Sequence, residues 1–187
     1  STDTFFSSEP GRNGETCAQL YVGKHSTFTI VKCMTTESQM PDTLRDVIRE
    51  YGVPIALFSD NARLETSKAV KDILRMYNIK DMQCEPHHPN QNPAEQRIGV
   101  IKRTTNHVMS RTNCPSNLWF NCVRYVTMVL NHVAIKRLEW KTPVEVAFGV
   151  TPDISALLQF RWYEPVRYLA MSNNKWVEQK GRFVGVA

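Results

Sequence analysis

The order of hydrophobic periods constrains this chain most. Three stretches rich in aromatic and β-branched residues come first, at 2–6, 17–23 and 26–34. Turn clusters separate them, Glu9-Pro10-Gly11-Arg12-Asn13-Gly14 and Gly23-Lys24-His25-Ser26. Strands joined this tightly predict an antiparallel meander. The period then switches: Leu44, Val47, Ile48 and Tyr51 fall at i, i+3, i+4 and i+7, which predicts an amphipathic helix over 41–51, ended by Gly52.

An alternation follows. Ile55-Ala56-Leu57-Phe58 reads as a short buried strand, and Val70, Ile73, Leu74 and Tyr77 as the apolar face of a second helix. Residues 79–84 read as another strand. A proline-punctuated loop, 86–93, leads into a long helix over 93–110, which Pro93 suits as a first residue because proline has no N–H to leave unpaired. A further helix is expected over 117–133. Strands, then helix, strand, helix, strand and a helical tail describe an α/β fold, a mixed five-stranded sheet with helices on its faces. From Pro143 the pattern changes to a short helical turn, 143–148, then extended stretches at 157–170 and 176–186 with Asn173-Asn174 as a hairpin turn. The expected division is a core over 1–140 and a small β-rich appendage over 141–187.

With 187 residues, 42% hydrophobic and 22% charged, the composition is that of a globular protein with its own core. No apolar run is long enough to span a membrane, and nothing at the start reads as a signal peptide. Both ends look like cuts through a longer protein. The net charge of +5 permits a polyanionic partner without demanding one. Five cysteines without a Cys-x-x-Cys pair suit reduced, intracellular thiols. Cys84 with His87 and His88 has metal-ligand spacing, but no second ligand pair accompanies it, so a structural zinc is not expected.

Three carboxylates carry the chemistry. Asp3 lies inside the first strand, Asp60 ends the strand after the first helix, and Glu95 sits in the first turn of the long helix. A sheet can bring those elements together. Two hard divalent ions about 3.5–4 Å apart can clamp the attacking and leaving oxygens of a phosphoryl displacement, and such ions want oxygen ligands. Each residue also has an ordinary reading: Asp60 as a turn residue, Glu95 as a helix-dipole partner, Asp3 as an edge residue. Along the long helix, Lys102 falls on the face of Glu95, about 10.5 Å further on. Asn106 continues that stripe, Arg103 flanks it and Gly99 lies within it, while Ala94, Ile98, Ile101, Thr105 and Val108 form the opposite face. Cations so placed suit DNA phosphates, and Gly99 would let a DNA backbone come close; a solvated helix face is the plain alternative.

The ordered motifs resemble the catalytic core of copia-type retrotransposon (retroviral-like) integrases, of the RNase H-like superfamily. Thr2-Asp3 resembles the first catalytic strand, Phe58-Ser59-Asp60-Asn61 the block with the second Asp, and Pro89-Asn90-Gln91-Asn92-Pro93-Ala94-Glu95 the loop leading to the catalytic Glu. Leu118-Trp119-Phe120 with Asn131-His132, Thr142-Pro143, Phe148-Gly149, Pro152 and Gly181-Arg182-Phe183-Val184-Gly185 resemble downstream blocks. Two departures are Ala62-Arg63-Leu64-Glu65 where the family usually has Gly-Gly-Glu, and Gln96 where an Arg commonly follows the Glu.

The resemblance implies an RNase H-like fold and an Asp-Asp-Glu polynucleotidyl transferase, with Asp3, Asp60 and Glu95 catalytic and holding two Mg²⁺ or Mn²⁺ ions. Water first cuts near the 3′ end of element DNA, and the exposed 3′-hydroxyl then attacks target DNA. Asn61, Gln91, Asn92, Lys102 and Arg103 are the expected contacts to double-stranded DNA, both element ends and target. The resemblance further implies a homodimer or larger homo-oligomer, in cytoplasmic particles and the nucleus, with no membrane. The competing readings are a nuclease or transposase on the same fold, a domesticated core that binds DNA or an oligomer partner without catalysis, and a plain structural domain. Trp119 and Trp140 are expected in the core or a subunit contact.

Overall fold

The computed structural model describes residues 1–59, 67–83, 93–172 and 174–186. Strand β1 (Thr2–Phe6) pairs antiparallel with β2 (Cys17–Val22), and β2 pairs antiparallel with β3 (Thr29–Met34). All six residues of β2 are buried. That follows from its central place, because helices cover both of its faces. Cys17 and Tyr21 pack with Leu44, Val47 and Ile48 of α1 (Met40–Tyr51) and with Val70, Ile73 and Leu74 of α2 (Lys68–Met76). Ala18, Leu20 and Val22 pack on the other side, against α3 (Pro93–Thr112) and α4 (Trp119–Asn131), through Ala94, Ile98, Ile101, Phe120 and Val123. The expected meander and helix-covered sheet are both present.

Between α1 and α2 runs β4 (Ala56–Ser59), and β5 (Lys80–Gln83) pairs with it in parallel, Phe58 opposite Met82. β4 comes against β1, but the hydrogen-bonded ladders among the described residues are one of three strands and separate ones of two. The expected single five-stranded ladder is therefore seen as a three-stranded and a two-stranded ladder side by side.

Local chemistry explains the element ends. Helix α1 follows a 3₁₀ turn whose capping box joins Thr36 and Gln39. It stops at Gly52, whose φ of 93° suits a residue without Cβ. β3 begins three residues later than expected because Thr27 takes a left-handed φ of 55° and its N–H closes a turn onto the Gly23 carbonyl. Tyr77, expected on the buried face of α2, instead caps that helix and is exposed.

Beyond α4, α5 (Pro143–Phe148) opens with a Thr142–Glu145 capping box and packs on α4. Phe148 meets Phe28 and Tyr51 in an aromatic cluster. The extended stretch expected from 157 is corrected at its start. Ser155–Leu158 is a helical turn, α6, and Trp162–Tyr163 a turn with Tyr163 at φ 61°. A hairpin of β6 (Pro165–Ser172) and β7 (Lys175–Arg182) follows, with Ser172 opposite Lys175. Of the expected turn pair, Asn174 has the left-handed φ of 59° such turns need, and Asn173 lies outside the described residues. The base of this hairpin is anchored back on the core where Trp162 meets Tyr125 of α4. Trp119 is half-buried against Phe5 and Phe120, whereas Trp140, expected in the core or a subunit contact, is 69% exposed in a turn. Among the described residues no helix is long and apolar enough to cross a membrane.

Candidate active site

Antiparallel register puts directly opposed residues on the same face of a sheet. Asp3 is opposite Leu20 and Phe5 opposite Ala18, so Asp3 and Phe5 share the face that α3 covers. Asp3 is half-buried, and its Oδ1 accepts a hydrogen bond from the Thr4 N–H at 2.8 Å. α3 packs against β1 because Ala94, Ile98, Ile101 and Thr105 are buried beneath it. The opposite stripe therefore faces outward as the helical spacing requires. Glu95 is exposed in the first turn, and Lys102 lies two turns on.

Lys102 does not simply extend into solvent. Its Nζ sits 5.5 Å from the centroid of the Phe5 ring, over the same strand face as Asp3. The indole Nε1 of Trp119 donates to Asn106 Oδ1 at 2.9 Å, which ties α4 to the outward stripe of α3. At Gly99 a Cβ would meet the Arg103 guanidinium at 3.4 Å. The missing side chain leaves room for Arg103 to fold back over the helix.

Asp60, Asn61, Gln91 and Asn92 lie outside the described residues, as do Cys84, His87 and His88. Among the described residues no three carboxylate, thiol or imidazole groups gather as a metal site. The segments that precede the three carboxylates border one groove, which neither Asp3 nor Glu95 lines. It has a volume of 770 Å³ and is lined by Ser1, Phe58 and Pro93, each two residues ahead of Asp3, Asp60 and Glu95 respectively. Lys24, from the β2–β3 turn, reaches into the same region, with its Nζ 5.7 Å from the Phe58 ring centroid.

Two cations near this site were not singled out by sequence. Lys24 lies in a turn whose only sequence signal was its glycine. Arg97 is half-buried, donates through Nε to Thr29 Oγ1 at 3.0 Å, and keeps a buried Nη2 with no partner. Burial, and then the charge of Arg137, pull its pKa below the ordinary guanidinium value. The helical period could have marked Arg97 as bordering the buried face, but only the tertiary fold sets Thr29 beneath it.

No protein-family model matches the chain, and no curated protein does. Solved structures do. The HTLV-2 integrase catalytic core domain, in complex with magnesium in a trimeric form, is 19% identical over 79% of this chain and 92% of that one, with a TM-score of 0.61. A dimeric form of the same domain is 18% identical, covering 80% and 94%, also at 0.61. The simian T-cell lymphotropic virus intasome, in complex with PP2A regulatory subunit B56 gamma, is 16% identical over 96% of this chain and 67% of that one, at 0.64. At these identities the likeness is one of fold: the chain folds as retroviral integrase catalytic cores do.

Proposed function

We propose that this chain is the catalytic core of a retroelement integrase, of the copia type its motifs resemble, with the core over 1–140 and an appendage over 141–187. It would act on double-stranded DNA, trimming element 3′ ends and joining them to target DNA. The observation that carries this reading is the single groove reached by the residues just ahead of Asp3, Asp60 and Glu95. The fold shared with integrase cores supports it.

The donor set fits a hard divalent cation: Asp3 is half-buried on the sheet face under α3, and Glu95 is exposed in the first turn of that helix. Asp3, Asp60 and Glu95 would hold two Mg²⁺ or Mn²⁺ ions, as the magnesium complex of the HTLV-2 core suggests for a divalent metal. The bound metal would supply charge neutralisation at the scissile phosphate and activation of the attacking oxygen. Lys102 and Arg103 then anchor phosphates along the outward face of α3, and Asn61, Gln91 and Asn92 contact the DNA end. The trimeric, dimeric and intasome neighbours favour a homo-oligomer. A retroelement integrase would work in particles and in the nucleus.

The test is disintegration and strand transfer on branched DNA with Mn²⁺ or Mg²⁺, comparing wild type with Asp60→Asn and Glu95→Gln. Metal-dependent activity lost in both variants supports the reading. Activity that survives both removes these carboxylates from the chemistry.

A further inference from the structure

The groove beside the carboxylates is lined mostly by apolar side chains. Its floor holds Leu44, Val47 and Leu57, all buried where α1 and β4 meet. Its rim holds Tyr51, Val53 and Ile55, which are 46%, 51% and 83% exposed. Single exposed apolar residues are ordinary, but three around one concavity mark a binding surface. At 770 Å³ the space falls in the range of small-molecule pockets, about 300–1,000 Å³.

The basic side chains lie at one end. Among the described lining residues none is an Asp or Glu. The Tyr21 hydroxyl is already bonded to Thr43 Oγ1 at 2.8 Å. Lys24, in the turn between β2 and β3, makes no ion pair among the described residues. Its ammonium lies 5.7 Å from the Phe58 ring centroid, which holds the charge over the groove. His25 and Ser26 stand beside it. One unpaired cation at the end of an apolar space is matched by one anion on an apolar body.

We propose that this groove is a binding site for a small amphipathic monoanion, an aromatic carboxylate, with its ring among Phe28, Tyr51 and Phe58 and its carboxylate on Lys24. Aromatic walls favour an aromatic body, because rings gain from offset and edge contacts beyond their buried area. A nucleic-acid strand carries a charge on every residue and does not match a groove with one unpaired cation. A second copy of this chain carries the same net +5, which opposes Lys24. Binding needs neither metal nor strand transfer, so the site stands or falls apart from the catalytic reading.

The experiment is a ¹⁵N-amide shift titration of the whole 187-residue chain with 2-naphthoate in EDTA, beside neutral 2-naphthylmethanol. Saturable shifts are expected at Lys24, Val53 and Phe58, with a Kd below about 1 mM. Lys24→Met is expected to weaken 2-naphthoate about three- to tenfold and to leave 2-naphthylmethanol unchanged. Ile55→Glu sets a like charge on the rim and is expected to weaken 2-naphthoate more than about tenfold. Ile55 is 83% exposed, so this change leaves the core packing alone. Val53→Glu is the second rim variant if Ile55→Glu does not fold. Absence of saturable shifts, shifts centred instead on the cavity lined by residues 157–164, or equal 2-naphthoate affinity in wild type and Lys24→Met would overturn the proposal. So would self-association lost in Ile55→Glu without any 2-naphthoate binding, which would make the rim a subunit contact. Strand transfer is measured on the same proteins with metal restored. Its absence beside Lys24-dependent binding sinks only the catalytic reading, and its presence without binding sinks only this site.

Discussion

Asn131 offers the sharpest test of how the fold is tied together. Its side chain accepts from the Thr29 N–H at 2.9 Å and donates to the Thr29 carbonyl at 2.7 Å. The carboxamide thus does for the start of β3 what a neighbouring strand would do, satisfying both backbone groups of an edge residue. Thr29 is 2% and Asn131 5% exposed, so water does not readily replace either bond. Asn131→Ala leaves a buried donor and a buried acceptor unpaired. At about 1–3 kcal/mol each, less partial hydration, the loss is about 3 kcal/mol. For a chain of this length that lowers Tm by roughly 6–12 °C. Urea unfolding and differential scanning calorimetry measure it, with Asn131→Asp as comparison, which keeps the acceptor but sets a carboxylate against the Thr29 carbonyl. A loss below about 0.5 kcal/mol in Asn131→Ala, the range of an ordinary surface change, would refute the reasoning.

Three further outcomes follow from the structure. Burial pushes the Cys122 thiol up to about 12, so iodoacetamide at pH 8 should leave it unlabelled in the folded chain and label it in urea; mass spectrometry of Cys122 peptides decides. Lys102→Ala should weaken duplex binding evenly across sequences and lower the salt slope by about 1, an unchanged slope removing Lys102 from the phosphate contacts. The Thr142 N–H holds the Glu145 carboxyl below its ordinary value of 4.5, with the Thr151 hydroxyl helping. Because the folded pKa is the lowered one, the cap is intact above the ordinary value and is lost as pH falls through the lowered value. Thr142 amide exchange should therefore quicken in acid in the wild type and stay independent of pH, beyond intrinsic exchange, in Glu145→Gln.

Much of the architecture was legible because the hydrophobic period changed where the elements changed. The face of α1 through Leu44, Val47 and Ile48, the buried stripe of α3 and the proline and glycine that bound them all follow from spacing and capping chemistry. The errors fall where backbone conformation overrides side-chain pattern. Thr27 and Tyr163 take left-handed φ values that end extended runs, and four residues after Ile154 turn helical despite an apolar sequence that suits a strand equally. Trp140 lies outside the core of the chain because its φ of 63° places it in an exposed turn, which leaves the subunit contact as its remaining expected role. At the site, the outward stripe of Glu95 and Lys102 could be read from a helical wheel. The resting of Lys102 on Phe5, the Asn131 clamp and the burial of Arg97 could not, since each joins residues far apart in the chain.

The central claim is that Asp3, Asp60 and Glu95 form one divalent-metal site. The most direct measurement is paramagnetic broadening of backbone amide resonances in the ¹⁵N-labelled chain by substoichiometric Mn²⁺. The account predicts that the amides of Thr4, Ser59 and Gln96 broaden together, and that Glu95→Gln weakens the effect at all three. Broadening confined to one of them, or unchanged in Glu95→Gln, would contradict it.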